Sequence, residues 1–170
     1  FFAEYIHYTN NIYGIARVAP TDEQFMPELD ALEAAIGPKT KALIINSPNN
    51  PTGVVYGEAC LKQLGKLLRT KESQYGSQIC LISDEPYRRI IYDGLRYCPP
   101  LNYHQHSIIV YSHSKDLALP GERIGYIAVN PYASFRSDLM GGMGLANRIL
   151  GFVNAPALMQ RVVGEIQGAS

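Results

Sequence analysis

Polar segments follow three of the most apolar stretches of this 170-residue chain, and they carry residue types that can do chemistry. They occupy residues 46–53 (NSPNNPTG), 84–87 (DEPY) and 112–115 (SHSK), and Arg123 follows the last of them. Together they supply amides, carboxylates, a phenol, hydroxyls, a lysine and an arginine. Each segment alone is typical of a turn or a solvated loop, but their order along one chain favours a shared site.

These functional groups suit the different parts of one kind of ligand. Arginine and serine side chains bind phosphate. A carboxylate can keep a ring nitrogen protonated, and a phenol and an amide can hydrogen-bond a ring oxygen. A lysine that loses its proton near positive charge becomes a nucleophile for an aldehyde. One cofactor, pyridoxal 5′-phosphate, combines a phosphate, a pyridine nitrogen, a phenolic oxygen and an aldehyde, and it acts as an electron sink.

The apolar stretches before the polar segments predict strands. The four stretches are short and apolar, and they cover residues 41–46, 79–84, 107–112 and 124–129. The first stretch is apolar on both faces and contains β-branched residues. This pattern is typical of strands buried in a parallel sheet. We therefore expect four buried strands.

Helices are predicted between these strands. Residues 1–8 form an aromatic-rich opening that predicts a short helix, and residues 27–36 have the pattern of an amphipathic helix. A further helix is expected to carry Leu61, Leu64 and Leu68 on one face.

Two other regions complete the predicted architecture. Residues 14–19 favour an additional strand, and residues 134–167 are expected to be helical, with interruptions at 141–144 and Pro156. Alternation of strands and helices predicts an α/β architecture. Because ligands bind beyond the carboxyl ends of parallel strands, we expect the polar segments to lie together at one edge of the sheet.

The three segments also carry a family resemblance. SPNNPTG, DEPY and SHSKDLALPGERIGY resemble, in order and in spacing, the three signatures of the fold-type I pyridoxal-phosphate enzymes. More specifically, they are similar to the class I/II aminotransferases, which include the aspartate aminotransferases. The resemblance implies a three-layer α/β/α domain with a mainly parallel sheet. It also implies transfer of an amino group between an L-amino acid and a 2-oxo acid by a homodimer.

The resemblance assigns catalytic roles to individual residues. Lys115 would be the Schiff-base lysine that holds pyridoxal phosphate and shuttles a proton. Asp84 would pair with the pyridine nitrogen. Tyr87 and Asn50 would hydrogen-bond the ring oxygen.

The remaining cofactor contacts follow from the same resemblance. Ser112 and Arg123 would bind the phosphate, with Ser114 as a possible helper. Phe2 is the best match to the aromatic residue that stacks on the cofactor ring. The family's Asn-Pro turn also implies a cis peptide bond at Asn50-Pro51.

The resemblance further implies that residues 1–170 are the central part of the cofactor-binding large domain. An amino-terminal segment and a carboxyl-terminal small domain, which holds the arginine for the substrate carboxylate, would then be absent. Alone, such a piece would leave sheet edges and apolar faces uncovered. A β-lyase or a cyclopropane-carboxylate synthase on the same fold, and a catalytically inert fragment, remain as alternatives.

Composition excludes several other classes of protein. Lys and Arg total 15 and Asp and Glu total 15, so the net charge of zero argues against a nucleic-acid partner or an anionic membrane surface. The aliphatic runs are too short for a transmembrane helix. The chain has 3 cysteines and no CxxC motif, which argues against a disulfide framework and favours a cytoplasmic location.

Several other residues invite a functional interpretation that their context does not support. His104, His106 and Cys98 could suggest a metal site, but their Pro- and Tyr-rich surroundings favour a surface loop, so we expect no metal. His113 is expected to pack inside the lysine segment, and residues 141–144 to form a flexible break between helices. The tyrosines near the start of the chain are expected to serve packing and interfaces; they are Tyr5, Tyr8 and Tyr13.

Overall fold

A four-stranded sheet organises the part of the chain that the computed structural model describes, residues 1–168. The strands are β1 (Ala42–Asn46), β2 (Cys80–Asp84), β3 (Ser107–Ser112) and β4 (Gly125–Val129), and they lie in that order. β1, β2 and β3 pair in parallel, whereas β4 runs antiparallel to β3. The predicted α/β class with a mainly parallel sheet is confirmed.

Helices precede, connect and follow the strands. They are α1 (Glu4–Asn10), α2 (Leu29–Ala35), α3 (Glu58–Tyr75), α4 (His113–Asp116), α5 (Arg136–Ile149) and α6 (Ala157–Gly168), with short 3-10 helices at Pro100–Asn102 and Pro120–Glu122. Within residues 1–168, none of these helices is both long and apolar enough to cross a membrane. The last two residues of the predicted domain, 169–170, lie outside the described residues.

The core lies where α2 and α3 pack against β1 and β2. Leu61, Leu64 and Leu68 form the predicted apolar stripe of α3, and all three are buried. They share one cluster with Ile45 of β1 and Leu81 of β2. Burying side chains of this size contributes about 1.5–3 kcal/mol each. This packing fixes the positions of the two strands whose ends carry the first two polar segments.

A close backbone approach fixes α3 against the segment that leads into β3. A Cβ atom placed on Gly65 would lie 2.2 Å from the carbonyl oxygen of Tyr103. The Arg69 guanidinium donates a hydrogen bond to the same carbonyl at 2.6 Å. Glycine is needed at position 65 because any side chain would collide with backbone.

The additional strand predicted over residues 14–19 is wrong. The structure has no strand there, and Ile15 is 85% exposed. The nearest pairing is an isolated bridge between Thr21 and Pro27. A strand needs a partner for its backbone groups, and the local apolar pattern cannot supply one. Because Pro27 takes part in this bridge, the following helix begins at Leu29 and not at residue 27.

The expected burial of the outer strands is also wrong. On β4, Tyr126 and Ile127 are exposed, and on β1 Ile44 is 38% exposed. These are the two outermost strands of the sheet, and neighbouring elements cover only part of their faces. The expectation that this chain alone leaves apolar faces uncovered is thereby confirmed.

The glycines at 141–144 do not break the tail helix, contrary to the prediction. α5 continues through them to Ile149, since helix propensity is a weak preference that does not by itself end a helix. The interruption predicted around Pro156 is confirmed, because α6 begins at the next residue. Pro156 still accepts a hydrogen bond, from the backbone N–H of Gln160, at 3.0 Å.

Two Gly→Ala substitutions test the close approach of α3. Gly65→Ala should lower the free energy of unfolding by about 1–3 kcal/mol, because the new methyl group must displace backbone in a packed region. Gly141→Ala is the matched control, because its methyl group meets nothing within 4 Å. That control should raise stability by about 0.5–1 kcal/mol through helix propensity. Denaturant titrations measure both, and equal effects would contradict the packing described for Gly65.

Candidate active site

The carboxyl ends of β1, β2 and β3 meet at one edge of the sheet. Asn46, the last residue of β1, is the register partner of Asp84, the last residue of β2. The Asn46 amide also donates a hydrogen bond to the Asp84 backbone carbonyl at 2.9 Å. The three polar segments start at this edge, as the sequence predicted.

Antiparallel pairing brings Arg123 to the same edge. Gly125 at the start of β4 is the register partner of Ser112 at the end of β3, so Arg123 lies beside the lysine segment. Arg123 has a left-handed backbone (φ 51), and its guanidinium donates to the Pro120 carbonyl at 2.6 Å. The local turn therefore holds the arginine near the end of β3.

The first segment folds over the edge and touches the second. The Asn46 side-chain oxygen accepts hydrogen bonds from the Asn49 side-chain amide and the Asn50 backbone N–H, each at 3.2 Å. The Asn50 side chain then donates to the Tyr87 hydroxyl at 3.0 Å. The peptide bond at Asn50-Pro51 is cis, which confirms that prediction. The bond at Ser47-Pro48 is also cis, which was not predicted.

Asp84 receives a hydrogen bond that sequence reasoning missed. The Tyr5 hydroxyl of α1 donates to Asp84 Oδ2. Burial raises the pKa of Asp84, and the hydrogen bond from Tyr5 opposes that rise. Burial and the same carboxylate raise the pKa of Tyr5, so the phenol keeps its proton. Tyr5 thus does more than the packing expected of it.

Phe2 lies against the same tyrosine. Its ring meets the Tyr5 ring edge-on, with the centroids 5.7 Å apart. The contact places Phe2 near Asp84, although the two lie far apart along the chain. The closely spaced aromatic residues of the segment FFAEY were the available sequence signal for this contact. The local sequence does not show that the partner of the Tyr5 hydroxyl is Asp84.

Lys115 lies on α4, which begins directly after β3. The Ser112 hydroxyl oxygen caps this single turn by accepting a hydrogen bond from the Ser114 backbone N–H at 3.2 Å. The Ser112 hydroxyl also donates to Ser114 Oγ at 2.8 Å. Lys115 is exposed to solvent. The two hydroxyls and the lysine therefore share one turn.

A second acidic residue, Glu85, is buried next to Asp84. Its carboxylate accepts hydrogen bonds from the Ser83 hydroxyl at 2.7 Å and the Tyr97 hydroxyl at 2.5 Å, and Arg88 lies 3.9 Å away. Burial raises the pKa of Glu85, and these contacts oppose the rise. Sequence reasoning had given Glu85 no separate role; here it fixes the segment that presents Asp84 and Tyr87.

The surface loop expected around His104 and His106 is wrong, because both side chains are buried, and they lie at the opposite edge of the sheet. They cluster with Glu72 of α3, and Cys98 is not part of the cluster. His106 Nδ1 lies 2.7 Å from the Glu72 carboxylate, and His104 Nε2 donates to the Ile79 carbonyl at 2.9 Å. The hydrogen bond to the Ile79 carbonyl uses His104 Nε2, which is also the nitrogen that faces the Glu72 carboxylate. The cluster ties the end of α3 to the starts of β2 and β3.

Comparison with known proteins identifies the family. The family model for aminotransferases of class I and II matches residues 1–169. The chain belongs to this aminotransferase family. The candidate site residues of this chain are Phe2, Asn50, Asp84, Tyr87, Ser112, Ser114, Lys115 and Arg123. All of them except Phe2 lie in the segments that meet at one edge of the sheet, and Phe2 is connected to this edge through its ring contact with Tyr5.

Relatives of this aminotransferase chain are longer than the chain itself. A probable aspartate/prephenate aminotransferase of Thermus aquaticus is 39% identical over 126 residues, covering 73% of this chain and 31% of that protein. A probable aspartate aminotransferase of Methanocaldococcus jannaschii is 34% identical over 142 residues, covering 84% of this chain and 36% of that protein. The chain therefore spans about a third of the length of these curated relatives.

Solved aminotransferase structures share the fold. A crystal structure of an amino transferase from Eubacterium rectale matches with a TM-score of 0.91 and 42% identity, covering 94% of this chain and 40% of that one. An aspartate aminotransferase from Thermus thermophilus with maleate matches with a TM-score of 0.68 and 32% identity, covering 78% of this chain and 33% of that one.

The half-buried carboxylate of Asp84 should make the stability of this chain depend on pH. Its pKa is raised in the folded state, so the unfolded chain loses this proton more readily and ionisation of Asp84 reduces stability at neutral pH. Asp84→Asn keeps the acceptor for Tyr5 and removes the charge. We expect this variant to have the higher free energy of unfolding at neutral pH, and the difference to vanish below the ordinary pKa of 3.8.

Denaturant titrations across this pH range measure the effect. Glu165→Gln on α6 is the control, because it removes an exposed carboxylate. A pH-independent difference between Asp84→Asn and the unaltered protein would contradict the role of burial.

Proposed function

We propose that this chain carries the pyridoxal 5′-phosphate site of an aminotransferase, an enzyme that moves an amino group between an L-amino acid and a 2-oxo acid. The observation that carries the proposal is the meeting of Asn50, Tyr87, Asp84 and Lys115 at one sheet edge. The names of the relatives support the reaction class, since those quoted above are all aminotransferases.

The donor set fits the cofactor group by group. Ser112, Ser114 and Arg123 offer two hydroxyls and a guanidinium beside the end of β3, which suits a phosphate. Asp84 offers a buried carboxylate for a protonated ring nitrogen. An exposed amine on the adjacent turn, that of Lys115, suits the aldehyde.

The ring oxygen has its own pair of donors. Asn50 and Tyr87 are already hydrogen-bonded to each other at 3.0 Å, so their polar groups can act on the same oxygen. Phe2 is near Asp84 through its contact with Tyr5, and its exposed ring could cover one face of a planar ligand. These contacts would orient the cofactor.

In the proposed mechanism, bound pyridoxal phosphate supplies a conjugated ring that withdraws electrons from the substrate Cα. Lys115 would hold the cofactor through its amine until the substrate amine displaces it, and the freed Lys115 amine would then be the group that takes and returns the proton of the substrate Cα. Asp84 would keep the proton on the ring nitrogen. The Tyr5 hydroxyl, which donates to Asp84 Oδ2, would hold that carboxylate in place.

The wider setting is part of the same proposal. Residues 1–170 would form the central part of the large cofactor-binding domain, and the arginine for the substrate carboxylate would come from outside them. The enzyme would work as a homodimer in the cytoplasm, where the free cysteines Cys60, Cys80 and Cys98 would stay reduced.

Covalent trapping tests the attachment point. After addition of pyridoxal phosphate and reduction with borohydride, mass spectrometry should find the cofactor on the peptide that contains Lys115. Lys115→Ala should abolish this adduct and leave weaker, phosphate-dependent binding. Lys66→Ala, which removes an exposed lysine of α3, should leave the adduct unchanged. An adduct that persists in Lys115→Ala would show that another lysine holds the cofactor.

The ring-nitrogen role is tested by kinetics in the intact enzyme. Asp84→Ala should slow transamination by several powers of ten, or roughly 4–6 kcal/mol at ~1.4 kcal/mol per decade, because the ring nitrogen loses its proton. Asp84→Glu should keep part of the activity, since the charge survives. Near-normal turnover in Asp84→Ala would contradict the ring-nitrogen role, and a changed melting temperature beside it would make Asp84 a purely structural carboxylate.

A further inference from the structure

A third carboxylate lies directly beside Lys115. Asp116 is the next residue on α4, and its side chain is only 2% exposed. Its Oδ2 accepts a hydrogen bond from the Tyr111 hydroxyl at 2.6 Å, and its Oδ1 accepts one from the Leu117 backbone N–H at 2.9 Å. His113 Nδ1 lies 3.3 Å from Oδ2. Both oxygens are thus engaged.

The same carboxylate connects two parts of the candidate site. The Arg89 guanidinium lies 3.8 Å from Asp116 Oδ2. Arg89 follows the segment that contains Asp84 and Tyr87. Asp116 therefore ties the segment for the cofactor ring to the turn that carries Lys115.

Neighbouring contacts hold Tyr111 in place. The Arg88 guanidinium lies 4.2 Å from the centroid of the Tyr111 ring, and it also pairs with the buried Glu85 at 3.9 Å. Burial and the hydrogen bond to Asp116 raise the pKa of Tyr111, so this hydroxyl keeps its proton. The donor to Asp116 is therefore fixed in both position and protonation state.

α4 depends on such anchors. It contains only residues His113–Asp116, and a helix this short does not hold together by itself. A buried carboxylate is costly unless donors surround it, so this position is unfavourable for Asp116 without its partners. Lys115 has no packing of its own to fix it, because it is exposed.

We propose that Asp116 is a positioning residue: it locks α4 through Tyr111, His113 and Arg89, and so aims the Lys115 amine at the sheet edge. The assignment rests on the proposed function of Lys115. It also gives His113, which the sequence indicated only as a packing residue, a polar role beside its buried ring.

The test compares two ligands. Pyridoxal phosphate reports attachment to Lys115 through the absorbance band of the lysine-bound cofactor and through borohydride trapping. Deoxypyridoxine phosphate lacks the aldehyde, so its binding reports the phosphate and ring contacts alone. Asp116→Asn keeps the size of the side chain and removes its charge. Asp138→Asn on α5 makes the same change at an exposed residue and is the control.

We expect Asp116→Asn to slow attachment of pyridoxal phosphate about tenfold or more, since a buried acceptor of several donors is weakened. Its affinity for deoxypyridoxine phosphate should fall much less than attachment slows, because Ser114 is the only proposed phosphate or ring contact within α4, and Asp138→Asn should match the unaltered protein in both assays. Attachment at the unaltered rate in Asp116→Asn would overturn the assignment. Equal loss of attachment and of deoxypyridoxine phosphate binding would also overturn it, because the role would then be general stability.

A milder variant covers the case in which Asp116→Asn does not fold. Tyr111→Phe removes one donor and keeps the ring between Arg88 and Tyr126. Slower attachment with a clearly smaller loss of deoxypyridoxine phosphate binding would support the assignment, and an unchanged attachment rate would overturn it. If the unaltered protein binds deoxypyridoxine phosphate but attaches no pyridoxal phosphate, the proposed role of Lys115 fails, and this assignment fails with it.

Discussion

Parallel pairing of β1, β2 and β3 is the constraint on which the candidate site depends. Because these strands run in the same direction, their last residues, Asn46, Asp84 and Ser112, lie at one edge of the sheet, and the segments that follow them start there. The antiparallel β4 adds to this arrangement, since its first residue pairs with Ser112 and leaves Arg123 beside α4. A change of register in one strand would separate groups that must act on one ligand.

Tyrosine hydroxyls compensate for a group of buried acids around this edge. Tyr5 donates to Asp84, Tyr97 donates to Glu85, and Tyr111 donates to Asp116. Burial raises the pKa of each of these three tyrosines, so each stays a donor. The arrangement places the site carboxylates in partly desolvated positions and gives each of them at least one hydrogen-bond donor. Of these three tyrosines, Tyr5 was the one that the sequence indicated for packing and interfaces, and its polar partner is Asp84.

The sequence by itself determined the elements that obey local rules. The apolar run at 107–112 gave the bounds of β3, and the stripe of Leu61, Leu64 and Leu68 gave the buried face of α3. The polar segments gave the site residues, because their position after strands is visible along the chain. Where only local pattern was available without a pairing partner, as at residues 14–19, the prediction was wrong.

Only the tertiary structure decided which groups meet across long distances in the chain. The contact between Tyr5 and Asp84 joins residues that are far apart in the chain, and the antiparallel direction of β4 and the burial of Asp116 depend on how their elements pack together. The continuity of α5 through its glycines was likewise not readable from helix propensity. The physical reason is common to the first three. Periodicity reports which face of an element is apolar, whereas hydrogen-bond partners and burial depend on which other elements pack against it.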